Sequence, residues 1–117
     1  PILGAGRAGA GMNLNGVEFA NWRDVPPREI HPGFRTRLLW RGENGAKALI
    51  FEIDPGAVYP VLDVHEPGPA EVFVLSGSFC DGRTSYPAGT FIHNPAGSSH
   101  VPQSEEGCVL FVFFPEG

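Results

Sequence analysis

Glycine and proline interrupt this chain so often that no amphipathic stretch of ten or more residues survives between them, which excludes a helical core. Sixteen glycines and twelve prolines among 117 residues approach the level at which chains without a period are disordered. Disorder is nevertheless not expected, because 42 % of the residues are apolar and 11 % aromatic. The apolar residues fall in short runs between the turn residues, as in an all-β sandwich or barrel. A length of 117 residues allows one core rather than two.

Several runs read as strands. Val17-Glu18-Phe19-Ala20-Asn21-Trp22 alternates weakly, which suits an edge strand or an extended arm of the kind that pairs with a neighbour. Pro26-Pro27 stops it, and His31-Pro32-Gly33 makes a turn. From Phe34 to Trp40 strict alternation puts Phe34, Thr36, Leu38 and Trp40 on one face. Asn44-Gly45 is a hairpin signal, after which Ala46 to Ile53 pairs back. Glu71 to Cys80 is almost entirely uncharged and reads as a buried strand, while Cys108 to Phe114 is apolar on both faces and reads as a central one. Residues 1–15 are expected to be a flexible leader or a cloning remnant, with Met12 a natural start, so the folded domain is expected over 16–117. Gly4-Ala5-Gly6 and Gly9-Ala10-Gly11 do not make a dinucleotide loop, since no strand precedes them and no helix follows.

The stretch from Gly89 to His100 carries the functional signal. Thr90, Phe91 and Ile92 are strand formers, Pro95 and Gly97 reverse the chain, and His100 begins the return with its imidazole delivered inward. Its spacing, Gly-x5-Pro-x-Gly-x2-His, resembles without a gap the second sequence motif of the cupin superfamily. Tyr59-Pro60, Glu71 to Gly77, Tyr86 to Thr90 and Ser104 to Cys108 extend the likeness. Over roughly Phe34 to Phe114 the chain resembles the cupin domain of the ChrR-like anti-sigma factors and their relatives, among them acetylacetone-cleaving dioxygenases. The resemblance implies a double-stranded β-helix, a single jelly-roll barrel with one open mouth. A small molecule is expected in that concave, mostly apolar mouth.

The resemblance also implies a site of three histidines and one glutamate for a divalent ion, for which Fe, Zn, Ni or Mn suit the mixed imidazole and carboxylate donors. The second motif is complete here and the first is not. Asp63-x-His65 stands where His-x-His is expected, and an aspartate oxygen can replace one imidazole. Counting back from Gly77, Ala70 occupies the glutamate position, with Glu71 offset by one. In a strand that offset reverses the face, unless a bulge in the Glu66 to Ala70 loop restores it. The candidate ligands are therefore His65, His100, Asp63 and Glu71. His93 is a candidate for a supporting hydrogen bond or the substrate pocket, and Tyr59, Phe73 and Trp40 for the walls of the mouth; His31, before a proline, is expected to be solvated. No catalytic residue and no organic cofactor is assigned. A barrel that has lost its metal and keeps the cavity for an organic ligand is the alternative.

Cys80 and Cys108 belong to no Cys-x-x-Cys pair and are expected to be small buried hydrophobes rather than a disulfide or zinc ligands. A net charge of −5 argues against a nucleic-acid surface, and no run of 18 apolar residues suggests a membrane span. A cytoplasmic protein is expected, and a homodimer, because the arm and the apolar strands offer edges. The anti-sigma relatives carry a further N-terminal zinc-binding domain for which 117 residues leave no space, so that role is not expected. Three functions remain: a metal-dependent enzyme, dioxygenase-like or isomerase-like, acting on a small oxygenated organic molecule; a binding and sensing module without turnover; or a purely structural dimerisation domain, if Trp40, Tyr59, Phe73 or Phe91 fills the mouth.

Overall fold

The computed structural model describes residues 10–117. Among them the strands are β1 (Ala10–Met12), β2 (Glu18–Ala20), β3 (Arg28–His31), β4 (Phe34–Arg41), β5 (Lys47–Ile53), β6 (Asp63–Val64), β7 (Ala70–Cys80), β8 (Ser85–Pro87), β9 (Phe91–Asn94), β10 (Ser99–His100) and β11 (Cys108–Phe114). The main antiparallel sheet runs β3-β4-β5-β11-β7-β8, with β9 also paired to β7. β6 pairs with β10, and β1 with β2. No described helix is long and apolar enough to cross a membrane.

The residues that form these elements are the ones their chemistry selects. β11, apolar on both faces, takes the central place between β5 and β7. The Asn44-Gly45 turn between β4 and β5 has both residues at positive φ, 60° and 84°, as the tight hairpin requires. At Gly77 the need for glycine is steric: φ is +72°, and a Cβ there would lie 1.9 Å from the Gly107 carbonyl oxygen.

Strand alternation divides the sheet into a cavity face and an outer face. Leu49, Val72, Val74, Leu110 and Val112 point into the core cluster with Phe34 and Phe79. Phe73 and Leu75 point outward and are exposed, so β7 is buried on one face only, not on both as its neutral sequence suggests. Part of the outer face is covered by residues 22–25: the Arg37 guanidinium donates to the Val25 carbonyl at 3.0 Å and lies over the Trp22 ring at 5.4 Å.

Two further expectations change. The described part of the expected leader is a hairpin arm, with Ala10 opposite Ala20 and Met12 opposite Glu18; residues 1–9 lie outside the described residues. Trp40 does not share the face of Phe34, Thr36 and Leu38. The β4–β5 register shifts between Leu38 and Trp40, so Leu38 faces Leu49 but Trp40 faces Ala48. One extra residue reverses the alternation, turning the indole outward and bringing Arg41 opposite Lys47.

Candidate metal centre

The site is built by the shortest strand pairing among the described residues. β6 and β10 pair with only Val64 opposite Ser99 and Asp63 opposite His100. The ladder is prolonged by the His65 amide donating to the Ser98 carbonyl at 2.8 Å and the Gly97 amide donating to the His65 carbonyl at 2.7 Å. Gly97, at φ +83°, is the turn residue that makes this return. Directly opposed residues on one face bring their side chains together, and a period of two puts His65 on the side of Asp63, with exposed Val64 pointing away.

Three side chains converge as a result. His100 Nε2–H donates to Asp63 Oδ2 at 2.8 Å, and the His65 and His100 rings lie 4.3 Å apart. One donor atom from each of Asp63, His65 and His100 lies within 4.8 Å of the others, a separation comparable to twice the roughly 2.1 Å bond of a first-row ion. Both imidazoles are buried. His65 Nε2 and His100 Nδ1 are buried nitrogens with no hydrogen-bond partner, a state that costs about 1–3 kcal/mol per group when nothing compensates it. The donor set, two imidazoles and one carboxylate, therefore fits a divalent first-row ion.

Burial lowers the His65 pKa, the neighbouring His100 lowers it further, and Asp63 opposes both. His65 is thereby held neutral, the form that ligates. Tyr59 lines the same cavity, and burial, followed by the charge of Asp63, raises its pKa, so its hydroxyl keeps its proton. The cavity has a volume of about 200 Å³. Its walls are mostly aliphatic and aromatic, with Phe51, Phe79 and Phe114 among them.

The family model described as "ChrR Cupin-like domain" matches residues 15–116. The chain belongs to this family. Among solved structures, this ChrR cupin-like domain is similar to a chain of the crystal structure of Rhodobacter sphaeroides SigE in complex with the anti-sigma ChrR, with a TM-score of 0.69 and 26 % identity over 80 % of this chain and 50 % of that one. It is similar in fold to the polyketide cyclase RemF from Streptomyces resistomycificus, at a TM-score of 0.70 and 23 % identity over 84 % and 78 % of the two chains. It is also similar in fold to an acetylacetone dioxygenase from Acinetobacter johnsonii, at 0.68 and 18 % identity over 81 % and 70 %. The chain spans half the length of the ChrR-complex chain it matches. No curated protein matches the sequence.

Of the expected site residues in this ChrR cupin-like domain, Asp63, His65, His100 and Tyr59 come together at one cavity. Glu71 does not join them. β7 runs in regular register against β9, with Ala70 opposite Asn94 and Glu71 opposite His93, so no bulge restores the glutamate to the inside. Its carboxylate is instead bonded to His93 Nδ1 on the outer face. His93, Phe73 and Trp40 are accordingly outside the cavity: His93 and Phe73 by the alternation of β9 and β7, and Trp40 by the shift in β4. Ala70, in the expected glutamate position, does face the cavity and is 1 % exposed. His31 is half-buried rather than solvated, its ring 4.7 Å from and edge-on to Tyr59. Both cysteines are free. Sequence reading missed Lys47, which lines the cavity at the start of β5; it shares the parity of Leu49 and Phe51, a signal present in the alternation of that strand.

Proposed function

We propose that this domain holds one divalent first-row ion on Asp63, His65 and His100 and uses it on a small oxygenated organic molecule in the barrel mouth. The observation that carries the reading is the pair of buried, unpartnered imidazole nitrogens beside a carboxylate. When bound, such an ion supplies Lewis-acid polarisation of a ligand oxygen. The chain's own residues do the rest. Burial keeps His65 unprotonated, Tyr59 offers a hydroxyl donor on the cavity wall, and the apolar walls keep water from the reacting group. Three protein donors rather than four leave room for a bidentate oxygen ligand, such as a β-diketone or enol.

Metal analysis of protein purified without a histidine tag tests the reading. About one equivalent of Fe, Zn, Ni or Mn is expected, with loss in His65→Ala and His100→Ala. Absence of binding even after incubation with each ion would overturn it. A second reading, a sensing module without turnover, is favoured by Ala70, which removes a ligand from the cavity. A bound organic molecule that is released unchanged would decide for that reading. The two free thiols suit a reducing, cytoplasmic location. A homodimer would cover the exposed Phe73, Leu75 and Phe91 and the arm residues Leu14 and Phe19.

A further inference from the structure

The chain is acidic overall, yet three of the described cations that form no ion pair line one groove. It has eight Lys and Arg residues. Arg35 and Arg37 pair with Asp54 and Glu52. Arg83 donates to the Ser99 carbonyl and Arg23 lies over Trp22, while Arg7 is outside the described residues. The remaining three, Arg28, Arg41 and Lys47, form no ion pair with any described residue. All three line one groove of about 490 Å³. That groove adjoins the cavity of the metal centre, and Lys47 belongs to the wall of both.

The strands show that this gathering is imposed rather than incidental. The register shift after Leu38 places Arg41 directly opposite Lys47, a like-charged cross-strand pair that costs stability unless an anion lies between or beside the two. On its other side Lys47 faces Phe114, with its ammonium 5.1 Å from the ring, which holds it at the edge of an apolar wall rather than free in solvent. The cavity is thus lined by three kinds of group: the donors Asp63, His65 and His100, an aliphatic and aromatic majority, and a single ammonium that it shares with the basic groove.

We propose that the ligand is a small apolar organic acid whose carboxylate binds Lys47, with Arg41 and Arg28 drawing the anion to the mouth. This rests on the reading of the metal centre for what happens at the other end of the molecule, but the anion site stands on Lys47 and the arginines alone. The inner cavity of about 200 Å³ has the liquid volume of about seven waters, which limits the ligand to a short chain or one ring.

The test compares hexanoate with its neutral isostere hexanamide by NMR titration of the full chain at one ionic strength. Hexanoate is expected to bind about tenfold more tightly or better, as one partly desolvated ion pair provides. Lys47→Gln should abolish the difference while leaving hexanamide affinity and metal stoichiometry unchanged, and Lys47→Arg should restore it. Equal affinities in the native protein, or a preference that survives Lys47→Gln because the carboxylate binds the metal instead, would overturn the proposal. A preference lost with Lys47 in a protein that takes up no metal would support the anion site and remove only the metal-centre reading. Stoichiometric metal without any preference would remove the anion site alone.

Discussion

The domain contains the same chemical pair twice. His100 with Asp63 and His93 with Glu71 are each an imidazole bonded to a carboxylate that is its direct neighbour across an antiparallel ladder. The first lies at the cavity, with the His100 side chain 9 % exposed, and the second lies on the outer face, with the His93 side chain 55 % exposed. Only the inner pair has a third donor beside it, His65, and only there are ring nitrogens buried without partners. Residue type and pairing are therefore not what separates a metal centre from a surface ion pair. The separation comes from which side of the strand the alternation selects, because that decides whether the unpaired ring nitrogen meets water or a closed cavity.

The contrast between the two faces can be tested at four strengths. The largest effect is expected in the core: Leu110→Ala, at a site 2 % exposed, should cost about 2–5 kcal/mol in urea unfolding, whereas Leu75→Ala, 42 % exposed, should cost under about 1 kcal/mol. Equal losses would mean that the outer face of β7 is covered. Next comes thiol reactivity. Burial pushes the Cys108 thiol up to about 11, so only about a thousandth of it is thiolate at pH 8. A disulfide-exchange reagent should titrate one thiol in the native protein, the half-buried Cys80, and the second only after unfolding. Third, His100→Ala should weaken zinc binding at least about a hundredfold, and His93→Ala should change it less than about threefold, measured by competition with a chromophoric chelator. Comparable losses would place Glu71 and His93 in the site after all. The smallest effect is on pH dependence. Because the His65 pKa is lowered in the folded state, protons bind preferentially to the unfolded chain. The metal-free protein should keep its full stability above about pH 6.5 and lose it as the pH falls through that value, by at most about 1.4 kcal/mol per pH unit. His65→Gln should flatten that slope.

The architecture was legible because its determinants are local. Turn residues mark each strand end, Cys108 to Phe114 could only be central, and Asn44-Gly45 could only be a tight hairpin. His100 was legible from turn chemistry, and His65 with Asp63 from spacing. What sequence could not show was the parity of residues beyond a register shift or beside an ambiguous loop. Trp40 was expected inside on strict alternation and lies outside, because a partner strand, not the sequence of β4, decides where one residue is added. Glu71 depended on a bulge in the Glu66 to Ala70 loop, but β7 enters in regular register with Ala70 inward, and its one extra residue, Leu75, comes later. Lys47 shares the parity of Leu49, which places it inward, but its charge, the usual mark of a solvent-facing side chain, masks that signal.

The added residue in β4 exchanges two side chains in a single step: an indole goes to the outer face and a guanidinium comes to the rim of the mouth. Regular pairing of the same residues, without the shift, would set Leu39 opposite Ala48 and Trp40 opposite Lys47, so the shift alone decides whether the entrance is aromatic or cationic. The polarity of the entrance is thus set by one pairing step in β4 and not by the kinds of residue that the strand contains.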